Sequence, residues 1–218
     1  PRRDARRAPL RVVRLSVRGE IGEEVAGATA APHRTRRVLV TGLSTYWGGR
    51  LAEALEAHPE IEAIVGVDSS EPTRELERTE FVKVGNQHSL IGRIVRAAEL
   101  DTVVDTRLVV NSFVTSPQLA HENNVIGTMN ILTACGGADS PVRKFVFKSS
   151  SHYYGCEQDD PAFFTEEMSR PHPPRTAIER DVVEAEAGVA EFADRRPEAT
   201  VTVLRCVNRL EEPSGGQV

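Results

Sequence analysis

The sequence predicts an α/β fold, a doubly wound parallel sheet preceded by a basic N-terminal arm. Short apolar runs alternate with amphipathic helical patterns from residue 37 onward, the order that builds parallel strands joined by helices. A glycine-punctuated stretch, VLVTGLSTYWGGRL over residues 38–51, lies between the first such strand and the first such helix. Glycines there allow a tight strand-to-helix turn and close approach of a ligand. Charge is unevenly divided. Residues 1–37 hold ten arginines against Asp4, Glu20, Glu23 and Glu24, a net +6, in a chain whose formal charge is −5, which leaves −11 on the remainder.

Along the chain, LRVVRLSV (10–17) has the composition of a short strand, and GEEVAGATAAPH (22–33) reads as a linker with little to bury. Residues 1–35 are therefore assigned to an arm and linker, and 36–218 to one domain. Opposite charges predict that the arm docks on the acidic body or on a partner subunit. Its lack of aromatic residues argues against single-stranded nucleic acid, whose bases stack on such side chains. Strands are expected at 37–41, 62–67, 80–84, 102–106, 143–148 and 200–206, and helices at about 47–58, 88–99, 117–135 and 176–195. The first helix sets Leu51 and Leu55 one turn apart and stops at His58, because the residue before Pro59 disfavours helix. The second strand ends in GVD, so Asp68 falls at a carboxyl edge, where it either accepts ribose hydroxyls or caps a loop.

The composition, 39% hydrophobic and 27% charged over 218 residues, is that of an ordinary globular domain. No apolar run approaches a membrane span, and no signal-peptide core begins the chain. A cytoplasmic protein without membrane contact is expected. Cys135, Cys156 and Cys206 form no C-x-x-C pair, so buried reduced thiols are expected rather than a disulfide framework or a metal site.

Six segments in order, VLVTG, GVD, DTVV, ENNVIGTMNILTAC, KFVFKSSSHYYG and VTVLRCVN, resemble the nucleotide-binding half of extended short-chain dehydrogenases. This is the NAD-dependent epimerase/dehydratase family, which includes UDP-glucose 4-epimerase. The resemblance covers about residues 36–210 and implies a Rossmann-like domain for NAD or NADP. It sets Gly42 and Gly48 at the outer glycine positions of the phosphate turn with Thr45 between them, and it points the amides of Tyr46 and Trp47 at phosphate. It further implies Asp68 toward ribose, Asn86 near adenine, Thr106 and Arg107 beside the cofactor, Asn124 supporting the pocket, and Ser150 at the catalytic serine position.

The departures from the family pattern carry as much information. Thr45 puts a Cβ and a hydroxyl where glycine lets pyrophosphate approach, and the hydroxyl is a candidate phosphate donor. Gly85, beside Asn86, replaces the aspartate that holds adenine, and Asp105, Thr106 and Arg107 replace the small H-A-A segment. Arg107 is read either as a phosphate ligand or as a surface arginine paired with a carboxylate. The family's Y-x-x-x-K pair becomes Arg175 and Glu179. An arginine holds its proton, and a glutamate would raise a neighbouring acid's pKa. Tyr153, Tyr154, Lys148, His152 and His172 remain as stand-ins, although Tyr154 matches the family's structural tyrosine. Asn208 matches the residue that opens the substrate-binding half, yet ten residues follow it. These departures predict weak NAD or NADP binding by a catalytically degenerate protein that works as a nucleotide sensor, scaffold or assembly subunit, as a homo-oligomer or with a protein partner. The alternative is an active nucleotide-sugar epimerase or reductase with relocated acid/base residues.

Overall fold

The computed structural model describes residues 36–85, 88–111 and 115–207, together with the backbone of residues 11–12. Chain order gives β1 (Arg11–Val12), β2 (Arg36–Thr41), α1 (Tyr46–Glu56), β3 (Ile61–Asp68), β4 (Thr79–Lys83), α2 (His88–Ala97) and β5 (Thr102–Asp105). There follow α3 (Pro117–His121), a π-helical turn (Glu122–Ile126), α4 (Gly127–Cys135), β6 (Lys144–Ser150), a 3₁₀ turn (Ser151–Tyr154), α5 (Ala177–Arg195) and β7 (Thr200–Cys206). The strands form one sheet in the order β1-β7-β6-β5-β2-β3-β4, and every pairing is parallel. This is the doubly wound architecture expected from the alternation of strands and helices.

Parity along the strands separates two cores. Leu39, Val65, Val67 and Val103 enter the larger one beneath α2, α4 and α5, whereas Val38, Val40, Ile64 and Val104 point the other way, into a smaller core with Ala52 of α1. Alternating residues of a strand face opposite sides of the sheet, so helices cover both faces. Phe145 and Phe192 meet at 5.5 Å in the larger core and tie β6 to α5.

The chain leaves β2 for β3 and β4, then returns to β5 on the other side of β2. That reversal opens a crevice at the carboxyl ends of β2 and β5, the place where doubly wound sheets bind ligands. Element boundaries differ from expectation by a residue or two in several places. The first helix ends at Glu56, with Ala57 as its cap, two residues short of His58. Of the expected 10–17 strand, Arg11–Val12 pairs with Thr202 and Val203 of β7, and the other residues lie outside those described. The 117–135 helix is continuous but passes through the π-helical turn.

Candidate functional site at the carboxyl edge

The turn after β2 has the shape its glycines suggest. Gly42 sits at φ +80°, a conformation that side chains with a Cβ avoid. A Cβ on Gly48 would lie 2.0 Å from the Gly42 carbonyl oxygen, so both outer glycines are required by geometry. Thr45 is the N-cap of α1: its hydroxyl donates to the Gly42 oxygen at 2.7 Å and accepts the Gly48 amide at 3.0 Å. The hydroxyl proton proposed for phosphate is thus engaged within the turn. The amides of Tyr46 and Trp47 open the helix and have no intrahelical acceptors. Their side chains are exposed and meet edge to face at 5.6 Å.

Across the crevice, Thr106 is buried with its hydroxyl turned into the turn, donating to the Thr41 carbonyl at 2.8 Å. Asp105 is buried as well. It accepts the Thr41 hydroxyl at 2.7 Å, the Arg107 amide at 3.1 Å and the Arg107 guanidinium at 3.2 and 3.3 Å. Arg107 therefore pairs with a carboxylate of its own strand end. Asp68 accepts the Ser44 amide and hydroxyl at 2.9 and 2.7 Å on one oxygen, and the Ser69 and Ser70 amides at 2.7 and 3.3 Å on the other. This carboxylate binds the glycine turn to the loop after β3. Gly85 is exposed with open space around it; Asn86 and Asn208 lie outside the described residues.

Asn124 is buried within the π-helical turn. Its side chain accepts the Val109 amide at 2.8 Å and donates to the Val109 carbonyl at 2.7 Å, fastening the loop after β5 to the helix. Beyond Val109 a cleft of about 250 Å³ opens between that loop, the 3₁₀ turn and the start of α5, lined by Val109, Asn111, Thr115, His152, Thr176 and Asp181 among others. Ser150, at the end of β6, lies beneath it with Oγ 2.7 Å from His152 Nδ1. Burial lowers the His152 pKa, only partly opposed by the charge of Glu179, so the imidazole is neutral at pH 7. At the α5 side of the cleft Asp181 binds His121 at 2.8 Å.

Arg175 and Glu179 stand at the start of α5, and both are held by other groups. Arg175 forms a fork with Asp159, its NH2 bonding Oδ2 at 2.8 Å. Glu179 is fully buried and accepts Arg170 at 2.6 Å, the Arg175 amide at 3.1 Å and the Thr176 hydroxyl at 3.1 Å. In return Thr176 caps the Glu179 amide at 3.2 Å, a variant of the capping box in which the glutamate reaches the Arg175 amide instead of that of the N-cap residue. Burial raises the Glu179 pKa, but Arg170 and the other donors outweigh it and leave the carboxyl below its ordinary value.

The stand-ins divide by location. Tyr154 is buried, donating to the Thr165 carbonyl at 2.9 Å and accepting Arg205 at 2.8 Å, while Tyr153 lies under the Arg205 guanidinium at 3.5 Å. Lys148 points away from the cleft, on the sheet face where Val104 also lies, and burial lowers its pKa. All three cysteines are free. Cys135 is buried, as expected, whereas Cys156 is exposed and Cys206 intermediate. Burial and the adjoining Glu179 push the Cys156 thiol up to about 11, so it is not a thiolate near neutral pH. Among the described residues no cluster suited to a metal ion occurs, and no helix is long and apolar enough to cross a membrane.

A switch-point crevice bordered by a glycine turn defines a nucleotide-binding type of Rossmann-like domain. The chain belongs to the NAD dependent epimerase/dehydratase family, whose model matches residues 38–210. It is 34% identical over 184 residues to an uncharacterized protein of Mycobacterium tuberculosis, covering 82% of this chain and 49% of that protein. The chain thus spans about half the length of the curated relatives it matches. Among solved structures it is similar to UDP-glucose 4-epimerase from Brucella ovis in complex with NAD, with a TM-score of 0.66 and 22% identity over 78% of this chain and 51% of that one. It is also similar to UDP-glucose 4-epimerase from Thermotoga maritima with UDP-glucose, with a TM-score of 0.65 and 23% identity over 78% of this chain and 54% of that one.

The residues fit a dinucleotide in part. The glycine turn and the free first-turn amides of α1 are retained, while the Arg107 side chain lies directly against Gly42.

Proposed function

We propose that this chain is a cytoplasmic NAD- or NADP-binding member of its family that does not perform the family's hydride-transfer chemistry. It acts as a nucleotide sensor, scaffold or assembly subunit, as a homo-oligomer or with a protein partner. The observation that carries this reading is the fate of the Y-x-x-x-K positions. Arg175 is tied to Asp159 and Glu179 is buried against Arg170. Epimerisation or reduction needs a group that exchanges a proton near neutral pH while the nicotinamide is held against the reacting carbon. A guanidinium cannot exchange one, and a carboxylate locked in a helix cap cannot bind the ribose as a lysine does.

Similarity to an NAD-bound epimerase supports a nicotinamide dinucleotide as the ligand. Tyr46 and Trp47 offer amides to phosphate, and Asp68 reaches ribose by exchanging a loop amide for a sugar hydroxyl. Binding is weak because Thr45, Gly85 and the Thr106–Arg107 pair each remove a favourable contact. Three losses of about 1 kcal/mol amount to about two powers of ten in affinity. The test incubates the protein with NAD and a panel of nucleotide sugars, following reduced cofactor and epimer ratio. No turnover is expected, and sustained turnover would reject the reading.

One observation favours an active alternative. Ser150 and the neutral His152 form a hydrogen-bonded pair at the cleft, the arrangement a relocated proton relay would use. Under that reading turnover is present and vanishes with His152→Ala.

A further inference from the structure

We infer that Arg107 is a built-in occupant of the dinucleotide groove, an affinity-limiting plug that the ligand must displace, rather than a phosphate clamp. This rests on the proposed dinucleotide-binding reading and deepens it. A Cβ added to Gly42 would lie 2.7 Å from Arg107 Cγ and 3.1 Å from its backbone nitrogen, and one added to Gly127 would lie 2.7 Å from NH1 and 3.2 Å from NH2. The side chain therefore runs from the phosphate turn to the start of α4, across the crevice at the switch point. The bare face of Gly42, which lets a pyrophosphate approach in a working turn, is covered by the arginine stem.

Its anchorage explains why this is a plug. The guanidinium reaches Asp105 at 3.2 and 3.3 Å, and the Arg107 carbonyl accepts Asn123 Nδ2 at 2.8 Å. Asp105 is buried and the Arg107 side chain nearly so, at 1% and 14% exposure. The arginine's charge is already matched by an internal anion, leaving little for a diphosphate. Displacing the arginine would strand a buried carboxylate with the Thr41 hydroxyl and one backbone amide as partners, and an uncompensated buried charge is strongly unfavourable. The open state is thereby kept scarce, and apparent affinity falls in proportion to its scarcity.

Calorimetric titration of the full chain with NAD tests this. Asp105→Asn removes the carboxylate that Arg107→Ala would otherwise strand, so the comparison uses that background. Asp105→Asn/Arg107→Ala, which lacks both the plug and its anchor, should bind NAD tighter than the unmodified protein by about tenfold or more, and Asp105→Asn/Arg107→Met, which keeps the length, should gain little. Weaker binding without Arg107 would overturn the plug and make the residue a clamp. An equal gain with methionine would overturn it in favour of a charge effect. In both cases dinucleotide binding itself stands. No NAD binding by any of these proteins, the unmodified one included, would reject the plug and the dinucleotide reading together. Should the variants fail to fold, the Arg107 Nε–H resonance of the unmodified protein decides. It should move on saturation with NAD as the Asp105 pair opens, and a resonance unmoved in a formed complex overturns the inference.

Discussion

Thr45 combines two opposed effects in one side chain. Its hydroxyl closes the turn onto Gly42 and caps the Gly48 amide, while on the proposed dinucleotide reading its Cβ stands where phosphate approaches. Thr45→Gly is therefore expected to act in opposite directions on two observables. Loss of the side-chain cap costs a few tenths to about 1 kcal/mol of stability, read as a lower melting temperature. NAD affinity, measured by calorimetry, rises because the backbone is bared. A fall in both would mean that the cap is what shapes the turn for the ligand. Glu179, which the proposed reading sets at the position of the family's lysine, is part of the structure that opens α5. Removing its carboxylate leaves Arg170 buried without its partner, so Glu179→Ala should destabilise by about 3–5 kcal/mol in denaturant melts. Because the folded carboxyl has a lowered pKa, its contribution is present above the ordinary glutamate pKa and fades as pH falls through the lowered value. Glu179→Gln should accordingly flatten the stability profile in that acidic window. An unchanged profile would mean that Arg170 does not hold the charge.

Helix α5 and the helix 117–135 are clasped by His121 and Asp181 at 2.8 Å, beside Asn124, whose amide lies 3.4 Å from the other Asp181 oxygen. The hydrogen bond to Asp181 raises the His121 pKa above 6.5, although burial opposes it. A raised pKa makes the clasp fully present below the unfolded histidine's value and lost as pH climbs through the folded one. Comparing the melting temperatures of the protein and of His121→Ala at pH 6 and pH 9 should give a larger gap at pH 6. A gap independent of pH would assign the residue to packing alone. Elements such as these were legible to different degrees. Strands and helices appeared in sequence because burial imposes periods of 2 and 3.6, and all six strands after the arm fell within a few residues of their expected places. Arg175 and Glu179 stood out in the sequence, but not the partners that hold them. Asp159 and Arg170 lie in an irregular segment whose path follows no periodicity. The cap that Thr176 makes to Glu179 does carry a local sequence mark, Thr176-x-x-Glu179. The π-helical turn has no such sequence mark; within it Asn124 bonds the Val109 backbone, a contact 15 residues away in the chain.

Across the whole molecule, the sheet ends on one side at Arg11–Val12, paired in parallel with Thr202 and Val203 of β7, and this pairing ties the basic arm to the body at one defined place. Two contributions follow from it. The backbone pairing covers the β7 edge, which would otherwise present unpaired amides and carbonyls and invite association. The segment 1–37, at +6, also faces a remainder at −11, an attraction that acts over about 10 Å at 0.1 M salt and is screened as salt rises. Deleting residues 1–33 should therefore lower the melting temperature at low ionic strength and change the oligomer size measured by light scattering. Raising the salt separates the contributions. The full chain should lose part of its advantage through screening and keep the part that comes from strand pairing, which salt does not reach. Equal melting temperatures and sizes for the two proteins, with nucleic-acid affinity lost on deletion, would transfer the arm's role to nucleic acid, and the steep salt dependence of phosphate contacts would then mark the binding curve.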